Sequence, residues 1–210
     1  RGATPMCGIP HHAADNYISK LLQSGRKVAM CEQTEEARPG KLVKREVTQI
    51  LSPGTHFDEK MLAAERNNYL AALSRNGKDH GLAVIDLTTG DFKTTEIGTI
   101  AALQTEIERL KPAEIVHPAG DSTLAESLTD SSVILNEHED WVFAVDSAEY
   151  TLRDHFGVKS LDGFGLKNRP AAIGAAGGAL HYLVNTLRRD VTHMHRLVFY
   201  QDSEFLTLDA

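Results

Sequence analysis

The chain has 210 residues, 41% hydrophobic and 24% charged, an ordinary balance for a soluble globular chain with room for one or two cored units. No run approaches the roughly 18 apolar residues that a membrane span needs and no basic-then-apolar leader opens the chain, so the expected location is the cytoplasm. The net charge of -7 argues against nucleic acid for the chain as a whole, but it is uneven: residues 1–56 hold eight Lys/Arg against five Asp/Glu, residues 57–155 eight against nineteen, and residues 156–210 six against five.

In chain order, Tyr17, Ile18, Leu21 and Leu22 line one face of a helix predicted over residues 15–24, and Gly25 supplies a left-handed stop. Residues 27–33 and 43–51 read as partner strands around a loop with Pro39-Gly40, and Pro53-Gly54 ends the unit. Residues 58–66 read as a linking helix. Three β-prone runs follow at 69–73, 81–87 and 92–96, separated by turns at Asn76-Gly77 and Thr89-Gly90-Asp91. A helix with Ile100, Leu103, Ile107 and Leu110 on one face ends at Pro112. Residues 115–117 and 133–135 are expected as parallel strands, and 124–128, 147–156 and 170–187 as helices. In the last of these, the small residues from Ala171 to Ala179 permit close approach of another backbone. A phosphate loop is the rival reading of its glycines, but they lie inside a helical pattern rather than between strand and helix. Residues 197–200 and 205–208 are expected to enter a further unit.

Several blocks carry a family resemblance. Pro5-Met6-Cys7-Gly8-Ile9-Pro10-His11-His12-Ala13 runs into Tyr17-Ile18-Ser19-Lys20-Leu21-Leu22 and Val28-Ala29-Met30-Cys31-Glu32-Gln33, and Arg45-Glu46-Val47-Thr48-Gln49-Ile50-Leu51-Ser52-Pro53-Gly54-Thr55 follows. Asn68-Tyr69-Leu70-Ala71-Ala72-Leu73, Asp86-Leu87-Thr88-Thr89-Gly90-Asp91-Phe92 and Leu161-Asp162-Gly163-Phe164-Gly165 continue the order. Together these resemble the MutS family of DNA mismatch-repair proteins over nearly the whole chain. The resemblance implies an α/β fold: part of a mixed α/β mismatch-binding domain over residues 1–57, a ribonuclease H-like connector domain over 58–189, and the start of a core domain over 190–210. The family's mismatch-probing Phe-x-Glu motif lies upstream of the opening block, so Arg1 is expected to be a cut edge. The pattern Gly-x4-Gly-Lys-Ser/Thr is absent, since Gly40-Lys41-Leu42 and Gly77-Lys78-Asp79 carry no hydroxyl for magnesium. ATP and magnesium are therefore expected of an intact parent and not of this stretch.

Arg1, Lys44 and Arg45 are candidate phosphate partners, Pro5 and Met6 apolar groups near a groove, and His11 (or His12) a backbone contact or a helix cap. By the same resemblance the intact parent binds mismatched duplex DNA, forms a homodimer and engages the MutL matchmaker protein. Glu106 and Glu108, expected to be exposed beside Arg109, are the candidate contacts for that partner. Two rivals remain: a magnesium-dependent ribonuclease H-like nuclease built on Asp86, with Asp91, Glu106, Glu114 and Asp146 as scattered company, and an α/β interaction domain with no DNA role. Cys7, His11, His12 and Cys31 lack the paired spacings of a zinc site, and the cysteines read as small buried hydrophobes.

Overall fold

In the computed structural model the described residues are 8–36, 40, 42–55, 68–128 and 133–201, without the side chains of His11 and Ala125. Two α/β units follow one another. In the first, a short 3-10 turn, His11–Ala13, leads into α1, Ala14–Gln23. Ala13 occupies the N-cap and has no side chain that can cap the helix. Gly25 takes φ 77 and its N–H closes on Leu22 O at 2.8 Å, the left-handed stop the sequence predicts. Strands β1, Val28–Gln33, and β2, Arg45–Leu51, pair antiparallel, with Val28 opposite Leu51 and Gln33 opposite Arg45. Ile18, Leu22 and Leu51 are the buried centre of this unit. Such a core is thin, and a two-stranded ribbon is marginal without further packing. Cys31 is exposed rather than buried, because the alternation of β1 turns it to the outer face.

The second unit has a six-stranded sheet in the order β7-β6-β3-β4-β5-β8. Strands β3, Tyr69–Asn76, β4, Asp79–Asp86, and β5, Asp91–Ile97, form an antiparallel meander. Asn76 faces Asp79, so Gly77 and Lys78 alone make the first turn, and Gly77 has the positive φ of 61 that such a turn demands. Helix α2, Ile100–Leu110, is capped by Thr99 Oγ1. Strand β6, Glu114–Pro118, runs parallel to β3, and β7, Ile134–His138, parallel to β6. Helices α3, Ser122–Ser127, α4, Val145–Phe156, and α5, Pro170–His181, complete the unit. The sheet separates two cores. Leu73, Leu82, Val84 and Ile115 meet α2 and α3 on one face, whereas Leu70, Ala72, Ile85 and Val116 meet α4 and α5 on the other. Both faces being covered, the central strands are buried residue after residue.

Helix α5 is buried on all sides from Ala171 to Leu180. Its small residues are the reason, because a Cβ on Gly177 would stand 2.4 Å from Ala148 Cα of α4 and one on Gly178 equally close to the Phe143 ring. From the sheet side, Ser74 Oγ and Thr94 Oγ1 donate to the carbonyls of Ala171 and Ala172 at 2.5 and 3.1 Å. Glu96 of β5 accepts from the N–H groups of Ala171 and Ala172 at 3.0 and 3.4 Å, satisfying the helix start from another element. The glycines thus serve helix packing.

Two expectations are corrected. The helix predicted over 170–187 stops at His181 and widens into a π-type turn, Tyr182–Thr186, in which the Leu187 N–H reaches back five residues to Tyr182 O at 2.9 Å. The left-handed Arg188, φ 54, then ends it. Residues 190–201, expected to start a further unit, pack on the second one: Val191, Met194 and Leu197 join its core, and Val198–Phe199, β8, pairs parallel with β5. Their apolar spacing finds the uncovered margin beside β5. The linking helix predicted over 58–66 and the entry into a further unit expected at 205–208 lie outside the described residues.

A methyl at Gly81 would stand 1.9 Å from the Ala171 carbonyl oxygen, backbone against backbone. Gly81→Ala is therefore expected to lower unfolding free energy by about 3 kcal/mol or more. Gly163→Ala, where nothing lies within 4 Å, is expected to change it by less than about 0.5 kcal/mol. Chemical denaturation of both variants decides this, and equal midpoints would contradict the close-packing account.

Candidate functional site: the junction of the two units

The two units meet over a buried carboxylate. Glu114 opens β6 beneath the end of β2 and has no exposed surface. Ser52 Oγ donates to Glu114 Oε1, and Asn136 Nδ2 of β7 donates to Oε2 at 3.0 Å. Ser52 is itself locked by Thr55, whose Oγ1 lies 2.9 Å from Ser52 Oγ and accepts from the Ser52 N–H at 3.1 Å. Gly54 is needed at this seam, because its Cα lies so close that an added Cβ would touch Glu114 Cγ at 3.0 Å and Leu70 Cα at 3.1 Å. The sequence reading took Pro53-Gly54 as a turn and missed this approach.

Burial pushes the Glu114 carboxyl above the ordinary carboxylate range, opposed by the Ser52 hydroxyl, by Lys27, by the Gly54 backbone N–H and by Asn136. Lys27, just ahead of β1, responds in the opposite sense: burial lowers it and Glu114 raises it. Its Nζ stands 5.0 Å above the ring of Tyr182, which follows α5.

A strap from the end of the π-type turn completes the seam. Ile50 N–H of β2 donates to Leu187 O at 3.0 Å, and Arg188 Nη1 donates to Val47 O. Arg189 donates from Nη1 to Gln49 Oε1 at 2.7 Å and from Nη2 to Thr55 O at 3.3 Å. Burial without a carboxylate lowers the Arg189 pKa, yet a guanidinium stays charged at neutral pH. The side chain of Ile50 packs on the core of the second unit. The first unit's weak core is thereby extended into its neighbour.

Of the predicted site residues, Arg1, Pro5 and Met6 lie outside the described residues, as do Cys7 and the His11 side chain. Lys44 and Arg45 are both exposed at the start of β2, and Lys44 Nζ pairs with Glu46 at 2.5 Å. Asp86 is buried at the end of β4, where its Oδ1 accepts from Thr88 N–H at 2.9 Å, Thr88 Oγ1 at 2.6 Å and Thr89 N–H at 3.3 Å. It braces a turn. Asp91 is held by Lys93 at 2.6 Å, and among the described residues no three His, Cys, Asp or Glu converge on a metal position.

Glu106 is the clearest correction. It was expected on the surface, but it is buried, held by Arg109 Nε and Nη2 at 2.8 and 2.6 Å, and it accepts the Tyr200 hydroxyl at 2.7 Å. Its spacing carried the signal, three residues after Leu103 and four before Leu110, within the apolar stripe of α2. Glu108 is exposed.

Sequence reasoning missed a groove between α4 and the end of α5. Three of the exposed large apolar residues border it: Trp141 at 55%, Tyr150 at 71% and Val184 at 39% exposure. Leu180 and His181 form its inner wall, and Asp154 stands on its rim.

The fold and seam define the class: two consecutive α/β units joined through a shared polar core. Residues 1–60 match the family described as MutS domain I and residues 68–195 that described as MutS domain II, so the chain belongs to the MutS family. The chain is 44% identical to the DNA mismatch repair protein MutS of Solibacter usitatus over 99% of its own length and 24% of that protein. It is 39% identical to the MutS of Lachnoclostridium phytofermentans over 98% of the chain and 23% of the relative, and 37% identical to that of Methanococcoides burtonii over 98% and 24%. The chain thus spans about a quarter of the length of the curated relatives it matches. Among its described residues no helix is long and apolar enough to cross a membrane.

Two outcomes follow from the junction and from α2. A native carboxyl raised by burial stabilises the fold fully below its unfolded value of 4.5, and that contribution is lost as pH rises through the native value. Glu114→Gln has no such proton to lose. Its stability relative to the parent chain is expected to climb from about pH 4.5 upward and to level off once Glu114 ionises in the native state; a pH-independent difference in denaturation midpoint would contradict this. Glu106→Lys is expected to destabilise by about 3–5 kcal/mol through an uncompensated buried charge, and Glu108→Lys by less than about 0.5 kcal/mol. Thermal melts that rank the two in the opposite order would remove Glu106 from the core.

Proposed function

We propose that this chain is the DNA-facing scaffold and connector of a mismatch-recognition protein, carrying the state of the DNA-binding unit to a partner-docking surface on the second unit. The observation that carries the reading is the seam itself: a buried carboxylate, a half-buried guanidinium and a β2-to-strap hydrogen bond tie the first unit to the turn that ends α5. Movement of β2 is felt directly at residues 187–189, and α5 leads from there to the groove. In the whole protein the ATP and magnesium chemistry belongs to other domains, the working form is a homodimer, and the duplex is bent at the mismatch where stacking is weakest.

Lys44 and Arg45 are the described cations at the tip of the first unit that support a backbone contact to DNA. With two phosphates engaged, affinity for duplex DNA is expected to fall about tenfold between roughly 50 and 200 mM salt. Charge reversal at both positions should flatten that slope. A slope unchanged by the double reversal would take these residues out of the interface.

For the partner, the acidic middle segment and the groove beside Trp141 and Tyr150 fit a MutL-like protein presenting basic and apolar groups. Tyr150→Ala and Trp141→Ala in the full-length protein are expected to weaken MutL binding by about 30-fold each, the scale of aromatic anchors, while Glu108→Lys should slow association at low salt only. Retention of full affinity by both aromatic variants would move the docking surface elsewhere.

A further inference from the structure

The seam leaves a cleft of about 470 Å³ between the β1–β2 ribbon and the strap that follows the π-type turn. That size lies within the range of small-ligand sites. Arg188, Arg189 and Asp190 line it from the strap and Glu32 from β1, with Gln49 and Leu87 between them. Arg188 Nη1 donates to Val47 O, and Arg189 donates to Gln49 Oε1 and Thr55 O, so neither cation is ion-paired with a carboxylate among the described residues. A guanidinium carries more N–H donors than these neutral acceptors use.

The backbone singles out Arg188. It stands at φ 54, a left-handed conformation that costs any residue with a Cβ and that gathers at ligand sites, just past a π-type turn, another irregularity frequent there. A glycine would fit this backbone better, so the side chain is what the position supplies.

The acids decide the kind of ligand. Glu32 is exposed on β1, and Asp190 is turned by the Thr192 N–H, which donates to its Oδ1 at 2.9 Å. Two arginines beside two carboxylates give no strong net charge to draw in a polyanion such as DNA. They offer a fork for one compact anion and, next to it, acceptors for hydroxyls. We propose that this cleft binds a phosphorylated sugar, free or within a mononucleotide, with the phosphate on Arg188 and Arg189 and sugar hydroxyls on Glu32 and Asp190. Guanidinium and phosphate match as a bidentate pair, and a carboxylate accepting sugar hydroxyls selects such a ligand over free phosphate. Glu32 belongs to the first unit and the arginines to the second, so the ligand binds the docked arrangement and holds the seam closed by mass action. The site goes beyond the scaffold reading and operates without DNA or MutL.

Titration of the unliganded chain with AMP, ribose 5-phosphate, adenosine and orthophosphate, followed by amide NMR shifts, tests it. At least one of the two phosphorylated sugars is expected to bind, with adenosine and orthophosphate tenfold or more weaker; tighter AMP assigns the mononucleotide, equal affinities the free sugar phosphate. Arg188→Ala is expected to weaken binding about 30-fold and Glu32→Gln about fivefold. Because Arg188→Ala also gives up the Val47 bond, Glu32→Gln at an exposed strand position keeps the test independent of the seam's integrity. Saturating ligand should slow hydrogen exchange of the Ile50 amide, bonded across the seam to Leu187 O, more than exchange in β4. If neither phosphorylated sugar binds below about 10 mM, if orthophosphate matches them, or if either variant binds like the parent chain, the proposal falls. That failure would leave the DNA and MutL readings standing, since neither partner is present.

Discussion

Helix α5 can occupy the middle of the second unit only because it presents so little side chain to its neighbours. Close approach of Gly81 to the Ala171 carbonyl and of Gly177 to Ala148 lets the sheet, α4 and α5 share one continuous core. A helix with ordinary side chains would stand off by several ångströms, and the two hydroxyls from β3 and β5 would lose their carbonyl partners. The described residues that follow the helix inherit their position from this contact. Tyr182, the wide turn, Leu187 and the two arginines reach the seam because α5 is fixed at that depth.

The seam has a different physical character. Its centre is a carboxylate with no exposed surface, tolerated because its oxygens are occupied and a lysine stands near. Buried polar interfaces of this kind add little net stability against an apolar alternative, but they are demanding of geometry. That suits a joint better than a core. Among its described residues the first unit's apolar centre is Ile18, Leu22 and Leu51, and the unit leans on its neighbour through Ile50, so its placement and its integrity are coupled. A displacement of β2 therefore has to be answered at Glu114, Arg189 and Leu187 together.

The two surfaces proposed for partners lie on opposite kinds of terrain. Lys44 and Arg45 stand on an exposed strand start, where charge acts through long-range attraction to a polyanion. Trp141, Tyr150 and Val184 offer area, which favours a defined docking partner over a diffuse one. Glu106 illustrates how easily charge alone misleads. In sequence it is one acid among many in an acidic segment, but it stands within the apolar stripe of α2 and holds Tyr200 from a distant part of the chain.

Local order was legible in the sequence wherever short-range chemistry decides it. The turn at Asn76-Gly77, the stop at Gly25, the apolar periods of α1 and α2 and the ordered family blocks were enough to name the elements, their succession and the family. They act within a few residues, and their physical causes are steric and local. The burial of Glu114 and Glu106 and the outward turn of Cys31 were not legible, nor was the return of residues 190–201 to the edge of the sheet. The two buried acids depend on partners far along the chain: Ser52 lies 62 residues from Glu114, and Tyr200 lies 94 from Glu106. The sequence by itself determined most of the helices and strands and the family they belong to, since backbone sterics and apolar periodicity are written in neighbouring residues, whereas the π-type turn at Tyr182–Thr186 and the pairing of β8 with β5 came from packing. Only the tertiary structure decided which charges are buried, which aromatic groups are left exposed and how one unit is held against the other, because those outcomes depend on the competition between water and distant side chains for the same polar atoms.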